Sequence, residues 1–301
     1  MRILICVILF SIHSGYILAC DLCSCSGGSN HFGILPNHKK NFVGFRFQMK
    51  QFHTSAHHLD QESYGSSDEY FYSAEIIGRW VPIKRVQLFT ILPYQWNQRR
   101  ENNIHTQVQG IGDINVLANY QLIQADDGTE KRINHALQAG VGIKCPTGKY
   151  DQIQNRILLN QNIQLGSGSW DIPMNVIYTL KYKQTGLNAE LHYKRNGVNP
   201  QHYRFGDRFT STIRLFTSKK VKQLNILPHI GGSFERATYD VRNQVIEDFT
   251  GGNMILLNAG TDLYLKSFGF NLYVFQPVRS TFGDSHIQGR TRISTSLIYL
   301  F

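Results

Sequence analysis

The stretch Thr291-Arg292-Ile293-Ser294-Thr295-Ser296-Leu297-Ile298-Tyr299-Leu300-Phe301 decides how the rest of the chain is read. Counting back in twos puts Phe301, Tyr299, Leu297, Thr295 and Ile293 on one face, and Leu300, Ile298, Ser296, Ser294 and Arg292 on the other. Side chains of a strand point alternately to its two faces, so a two-residue period marks a strand rather than a helix. One face is apolar or aromatic apart from Thr295, while the other turns polar towards Arg292. Such a strand suits a boundary between an oily medium and a wet one.

The alternation recurs along the chain, and twelve strands are read at 41–52, 69–81, 83–96, 110–122, 134–146, 169–182, 186–195, 202–216, 224–236, 253–265, 268–278 and 291–301. Twelve is even, as an up-and-down barrel with both ends on one side requires. The runs match the roughly 9–11 residues with which a tilted strand crosses a bilayer. Short connections at Pro82, 183–185, 217–223 and 266–267, with a somewhat longer one at 124–132, alternate with mostly longer polar ones. Tight periplasmic turns and larger outer loops have that asymmetry. The expected fold is all-β: a 12-stranded antiparallel up-and-down transmembrane β-barrel over 41–301. The aromatic end of the last strand resembles those that barrel-insertion machinery recognises, so that machinery and outer-membrane lipid are expected partners.

Composition agrees. The 301 residues are 42% hydrophobic and 17% charged, with a mean hydropathy of -0.27, which excludes a bundle of membrane-spanning helices. Beyond the first twenty residues no apolar run approaches the roughly 18 that a spanning helix needs. The formal net charge of +10 raises nucleic acid as a partner. The bases, however, are scattered and often alternate with apolar residues, so none is expected. Arg2, the apolar stretch 3–10 and Ala19 read as an export signal over 1–19. A cysteine-rich periplasmic segment over 20–40 would follow, in a protein of the bacterial outer membrane.

Strand 186–195 has the cleanest two-face code: Leu187, Ala189, Leu191 and Tyr193 alternate with Asn188, Glu190, His192 and Lys194. A basic residue facing lipid at mid-depth costs about 2–4 kcal/mol, so the second set lines the lumen. The same parity sends Arg46, Lys50, Glu75, Arg79, Asp113, Asp171, Lys181, Arg204, Arg208, Arg214, Glu235, Asp262 and Arg292 inward, and Phe45, Met49, Leu92, Val176 and Ile213 outward. Inward bases outnumber inward acids, which would focus positive potential on an anionic or polar solute. Arg79, Lys181, His192, Lys194, Arg204, Arg208 and Arg214 are the expected solute contacts, although Glu190, Glu235 and Asp262 are placed to hold some of them in ion pairs.

Cys20, Cys23 and Cys25 form the sharpest chemical cluster. Three thiolates so close in sequence can converge on copper or zinc with His31 completing the set. In an oxidising compartment they can equally form a disulfide, or Cys20 can carry lipid. An enzyme is not expected: no His-x-Ser lies on a predicted strand, which is the arrangement that ester hydrolysis on a barrel wall would use.

Gly110-Ile111-Gly112-Asp113, Gly142-Ile143-Lys144-Cys145-Pro146-Thr147-Gly148-Lys149-Tyr150, Gly166-Ser167-Gly168-Ser169-Trp170-Asp171 and Tyr203-Arg204-Phe205-Gly206-Asp207 together resemble the signatures of the outer-membrane "transporter" barrels of the phenol-degradation meta-pathway family. The resemblance runs from about Phe42 to Phe301. The opening Cys-x-x-Cys-x-Cys resembles variants of that family from Bacteroidota. It implies an outer-membrane channel for passive passage of a small molecule. The alternative is a metal-handling outer-membrane protein whose barrel anchors the cysteines. Cys145 stands where the family pattern has an aliphatic residue, and parity turns it to lipid.

Overall fold

The computed structural model describes residues 40–301 apart from 56, 60–61, 65, 102–103, 125–132 and 155–156. The expected export signal lies outside the described residues, and so do Cys20, Cys23, Cys25 and His31.

Twelve long strands carry the architecture: β1 (Phe42–Thr54), β2 (Ser67–Ile83), β3 (Val86–Glu101), β4 (Ile104–Ile111 continued by Ile114–Ile123), β5 (Ile133–Cys145), β6 (Ile172–Tyr182), β7 (Thr185–Arg195), β8 (Arg208–Thr217), β9 (Leu224–Ala237), β10 (Gly252–Leu265), β11 (Phe268–Ser280) and β12 (Arg292–Leu300). Each pairs antiparallel with its neighbours in sequence, and β1 pairs with β12 from Phe42↔Leu300 to Met49↔Ile293, which closes the sheet into a barrel. Among the described residues no helix is long and apolar enough to cross a membrane. The strands span the bilayer instead, because closure satisfies every backbone group within the sheet.

Two-residue turns at one end are visible at Lys84–Arg85, Lys183–Gln184, Lys222–Gln223 and Lys266–Ser267, each with one residue in the left-handed region, Arg85 (φ 73°), Lys183 (52°), Lys222 (54°) and Lys266 (53°). Positive φ matches the twist of a two-residue hairpin. The first turn corrects the expected one at Pro82. Pro82 lies inside β2, at the register irregularity between Trp80 and Ile83, where its missing N–H disturbs no regular ladder.

The outward face is apolar: Phe45, Ile76, Leu92, Val141, Val176, Leu191, Ile213, Leu257 and Leu297 are all exposed. Aromatic rings flank this band. Phe47, Tyr72, Trp96 and Tyr94 stack towards the loop end, with Tyr72 and Trp96 centroids 5.7 Å apart. Exposed Trp80, Tyr120, Tyr182, Phe268, Tyr299 and Phe301 mark the turn end. Half-apolar rings of this kind settle at headgroup depth. Cys145 is a free thiol on the same face as Val141 and Ile143.

Candidate functional site

The lumen is built by the opposite parity. Arg46 on β1 faces Glu75 on β2 in register; its Nε donates to Glu75 Oε2 at 2.6 Å, while Ser73 and Gln48 donate to the same carboxylate. Arg292 on β12 reaches past two strands to Glu235 on β9, at 2.8 Å, and lies over the Phe52 ring. Arg214 on β8 donates to Glu190 at 2.9 Å and to Asn188 at 3.2 Å, and sits over Tyr273 of β11. Asp262 accepts from Asn271 at 2.6 Å and from the Tyr273 hydroxyl at 2.7 Å. Removing charges from water is tolerated only with such partners.

Arg46, Lys50, Arg208, Arg214 and Arg292 share the lumen with Glu75, Glu190, Glu235, Asp262 and, nearer the loops, Glu69. Lys50 is distinct. Among the described residues it makes no ion pair, yet the charges of Arg292, Glu235, Glu75 and Arg208 all act on it. A small pocket lined by Gln48, Lys50, Glu235, Phe275, Arg292 and Ser294 opens beside it. Parity reveals that Lys50 points inward; that its ammonium stays outside the ion pairs depends on contacts between distant strands.

The expected solute contacts fall in different places. Arg214 is fully buried and Arg79 almost so, the latter donating to the Lys40 carbonyl at 2.9 Å and lying over Phe42. Both are built into the wall. Lys194 lies 3.9 Å from Asp171 and His192 3.4 Å from Glu190. Lys181 sits half-buried near the turn end, paired with Gly186. Arg208 begins β8 on its inward face. Arg204 is a correction: strand 202–216 is interrupted, and Tyr203–Arg204 instead forms a short ladder with Val241–Arg242 among the outer loops. Arg204 Nη1 lies 3.9 Å from Asp207, outside the barrel wall. Tyr203, which the two-residue alternation placed on strand 202–216, is buried in the same loop cluster.

Three of the four family-like motifs converge on one clamp at the outer mouth. Asp113, at the break in β4, accepts from the backbone N–H of Gly148 and of Ser167, both at 2.9 Å, and from Lys144 Nζ at 2.5 Å. Lys144 also contacts Ser167 Oγ and lies 2.9 Å from Asp171, which accepts from Ser169 and from the N–H of Gly197. Gly168, at φ +70°, packs against the Tyr150 ring with no room for a Cβ. A second knot ties Tyr203 and the Gly206 N–H to Asp240, and Tyr193 and the Asn196 N–H to Asp207. Loop 147–171 thereby folds inward: Asn97 on β3 donates to the carbonyls of Ile163 and Gln164, and Ile163 and Leu165 pack on Val108. Lys144, Ser167 and Ser169 belong to this clamp, and the sequence analysis singles out none of them as a site residue. Their only signal was membership of motifs.

The turn end of the lumen is apolar, where the parity reading names only charged and polar inward residues. Phe42, Ile77, Phe89, Ile91, Leu117, Phe216, Leu227, Tyr264, Ile298 and Leu300 form one buried cluster contributed by eight strands. A second cluster, with Phe52, Phe71, Met254, Leu256, Phe282 and Ile287, lies towards the loops. The charged midsection is therefore bracketed by two apolar layers.

A further correction concerns β1, which runs to Thr54 rather than residue 52 and so carries His53 on its outward face, two residues before Ser55. His53 Nδ1 lies 2.9 Å from Asp68. Among the described residues the Ser55 hydroxyl makes no hydrogen bond to that histidine, and Arg290 shares the carboxylate at 3.5 Å. Among the described residues no group of three His, Cys, Asp or Glu side chains could hold a metal ion.

Solved structures with the same architecture are bacterial outer-membrane barrels. An outer membrane channel from Pseudomonas putida F1 superposes with a TM-score of 0.63 at 10% identity, covering 87% of this chain and 96% of the channel. The β domain of a Bordetella autotransporter reaches 0.50 at 11% identity, covering 87% and 100%. No match was found among curated proteins. With its oily band, paired girdles and closed sheet, the chain is a barrel of the bacterial outer membrane. The sequence match extends over residues 43–285, nearly all of the barrel, and by it the chain belongs to the family described as "Putative MetA-pathway of phenol degradation".

Proposed function

We propose that this chain is a passive outer-membrane channel for a small anionic or polar solute, without catalytic activity. The observation that carries the reading is Lys50: an inward ammonium outside the ion pairs, beside Gln48, Ser294 and Arg292. An ammonium offers three donors without a fixed plane, and a guanidinium offers a fork suited to carboxylate. Together they favour a small anion that sheds part of its water between the two apolar layers. Arg208, His192 and Lys194 extend the same potential along the wall. The Pseudomonas putida neighbour is an outer membrane channel, which supports passage through the lumen. Insertion would proceed by recognition of β12, whose outward face ends in aromatic residues.

Conductance in planar bilayers under a potassium chloride gradient tests the reading. Wild-type channels should show a reversal potential on the chloride side of zero, and Lys50→Glu should move it towards potassium. A barrel that never conducts, or one whose selectivity ignores Lys50→Glu, refutes the assignment.

A further inference from the structure

The turn end carries a charge pattern that the lumen does not use. Lys84 and Arg85, Lys183, Lys222 and Lys266 occupy the β2–β3, β6–β7, β8–β9 and β10–β11 turns, Lys219 and Lys220 lie on the short ladder that leads into the third, and all seven are exposed. No acid accompanies them in 84–85, 183–184, 218–223 or 266–267. The β4–β5 connection lies almost wholly outside the described residues; its sequence carries Asp126, Asp127 and Glu130 beside Lys131 and Arg132, so it is not counted with the other four. At the opposite end, acids are frequent in the loops: Asp151, Asp207, Glu247, Asp248 and Asp284. Much of the chain's excess positive charge is thus collected at one end of the cylinder.

Position says what such a charge meets. The seven cations stand just beyond the turn-side aromatic girdle: Lys183 follows Tyr182 directly and lies 5.4 Å from its ring, Lys266 is two residues from Phe268, and Lys84 is four from Trp80. At about 3.3 Å per residue, these steps put the charges at headgroup depth. They also occur in four turns spread around the circumference, from β2–β3 to β10–β11. A folded partner would be met by one side of the rim; a ring meets a plane. Lysine, a compact and strongly hydrated point charge, suits diffuse attraction to such a plane better than a forked contact to one ligand.

We infer that the turn-end lysines form a collar that binds anionic glycerophospholipid headgroups of the periplasmic leaflet. The lipid phosphates would lie against the exposed ammonium groups, with their acyl chains along the band capped by Trp80, Tyr182 and Phe268. The collar fixes the depth of the barrel and enriches its surroundings in anionic lipid.

Native mass spectrometry of the full chain tests this, with protein from mixed phosphatidylethanolamine and phosphatidylglycerol bilayers. A seven-site variant neutralises the collar: Lys84, Lys219 and Lys220 to Gln, and Arg85, Lys183, Lys222 and Lys266 to Asn, which tolerates left-handed backbone. Heat-modifiable gel migration confirms that it folds; should it not, the three Gln changes alone, all away from left-handed positions, are used. Wild type should retain phosphatidylglycerol over phosphatidylethanolamine by at least tenfold, and the variant should lose most of that preference. The loop-end variant Arg100→Gln/Arg290→Gln should keep it. Equal retention of both lipids by wild type, an unchanged preference in the neutralised variant, or an equal loss in the loop-end variant overturns the inference. So does tighter binding of a soluble acidic polymer, polyglutamate, to barrels in phosphatidylethanolamine alone, which would assign the collar to a soluble partner.

Discussion

Replacing Asp113 with Ala should release loop 147–171 from the outer mouth while leaving the barrel intact. The carboxylate receives two backbone N–H groups, from Gly148 and Ser167, both at 2.9 Å. A hydrogen bond to a charged group contributes about 1.5–3 kcal/mol, so the pair is worth about 3–6 kcal/mol. Water entering the opened mouth replaces part of this, which argues for the lower end, about 3 kcal/mol. Lys144 keeps Asp171 as partner at 2.9 Å, so no buried charge is stranded and the effect stays local. With about 1.4 kcal/mol per factor of ten, amides of the loop should exchange roughly 100-fold faster. Hydrogen exchange by mass spectrometry on barrels in nanodiscs reads this directly, since exchange reports local opening free energies. Loop peptides should lose protection while peptides from β9 and β10 keep theirs. Loop exchange within about threefold of wild type would refute the clamp, and a uniform loss across β9 and β10 would show that Asp113 supports the barrel as a whole.

Three further outcomes follow from the same geometry. Glu190→Gln leaves Arg214 buried without its carboxylate and should cost about 3–5 kcal/mol in urea unfolding, whereas Glu190→Gln with Arg214→Met should recover most of it; a double variant no better than the single would contradict the pairing. Leu191→Arg, on the exposed face of β7, should cost about 2–4 kcal/mol of stability in bilayers, and a neutral result would reverse the assignment of faces. Phe42→Ala with Phe216→Ala thins the turn-end apolar cluster and should raise single-channel conductance in planar bilayers; unchanged conductance would mean that this layer does not limit passage.

The strands are legible in the sequence because lipid enforces the alternation: Leu187 to Lys194 reads correctly residue by residue. Boundaries are less legible. Pro82 is a strong turn signal locally, yet the β2–β3 pairing runs past it to Lys84–Arg85. Arg204 keeps strand parity with Arg208, but Asn199 and Asp240 hold Tyr203 in a loop, and parity cannot detect a break imposed from elsewhere. The turn-end apolar cluster escapes for another reason. Phe89 and Ile91 point inward while Leu88 and Leu92 point outward, so β3 is apolar on both faces there and gives no contrast. The Asp113–Lys144–Asp171 network joins residues 31 and 27 apart in sequence, which motif order suggests and periodicity does not.

The pairing of β1 with β12 extends to the flanking residues, where Asn41 and Phe301 exchange backbone hydrogen bonds at 3.1 and 3.0 Å. The stave laid down first must therefore await the stave laid down last. Until then the nascent sheet has two raw selvedges, each an invitation to foreign strands, and its sealing contact joins residues 260 apart in sequence, which slows folding. Assembly is consequently a matter of keeping an unfinished hoop out of trouble long enough for its ends to meet.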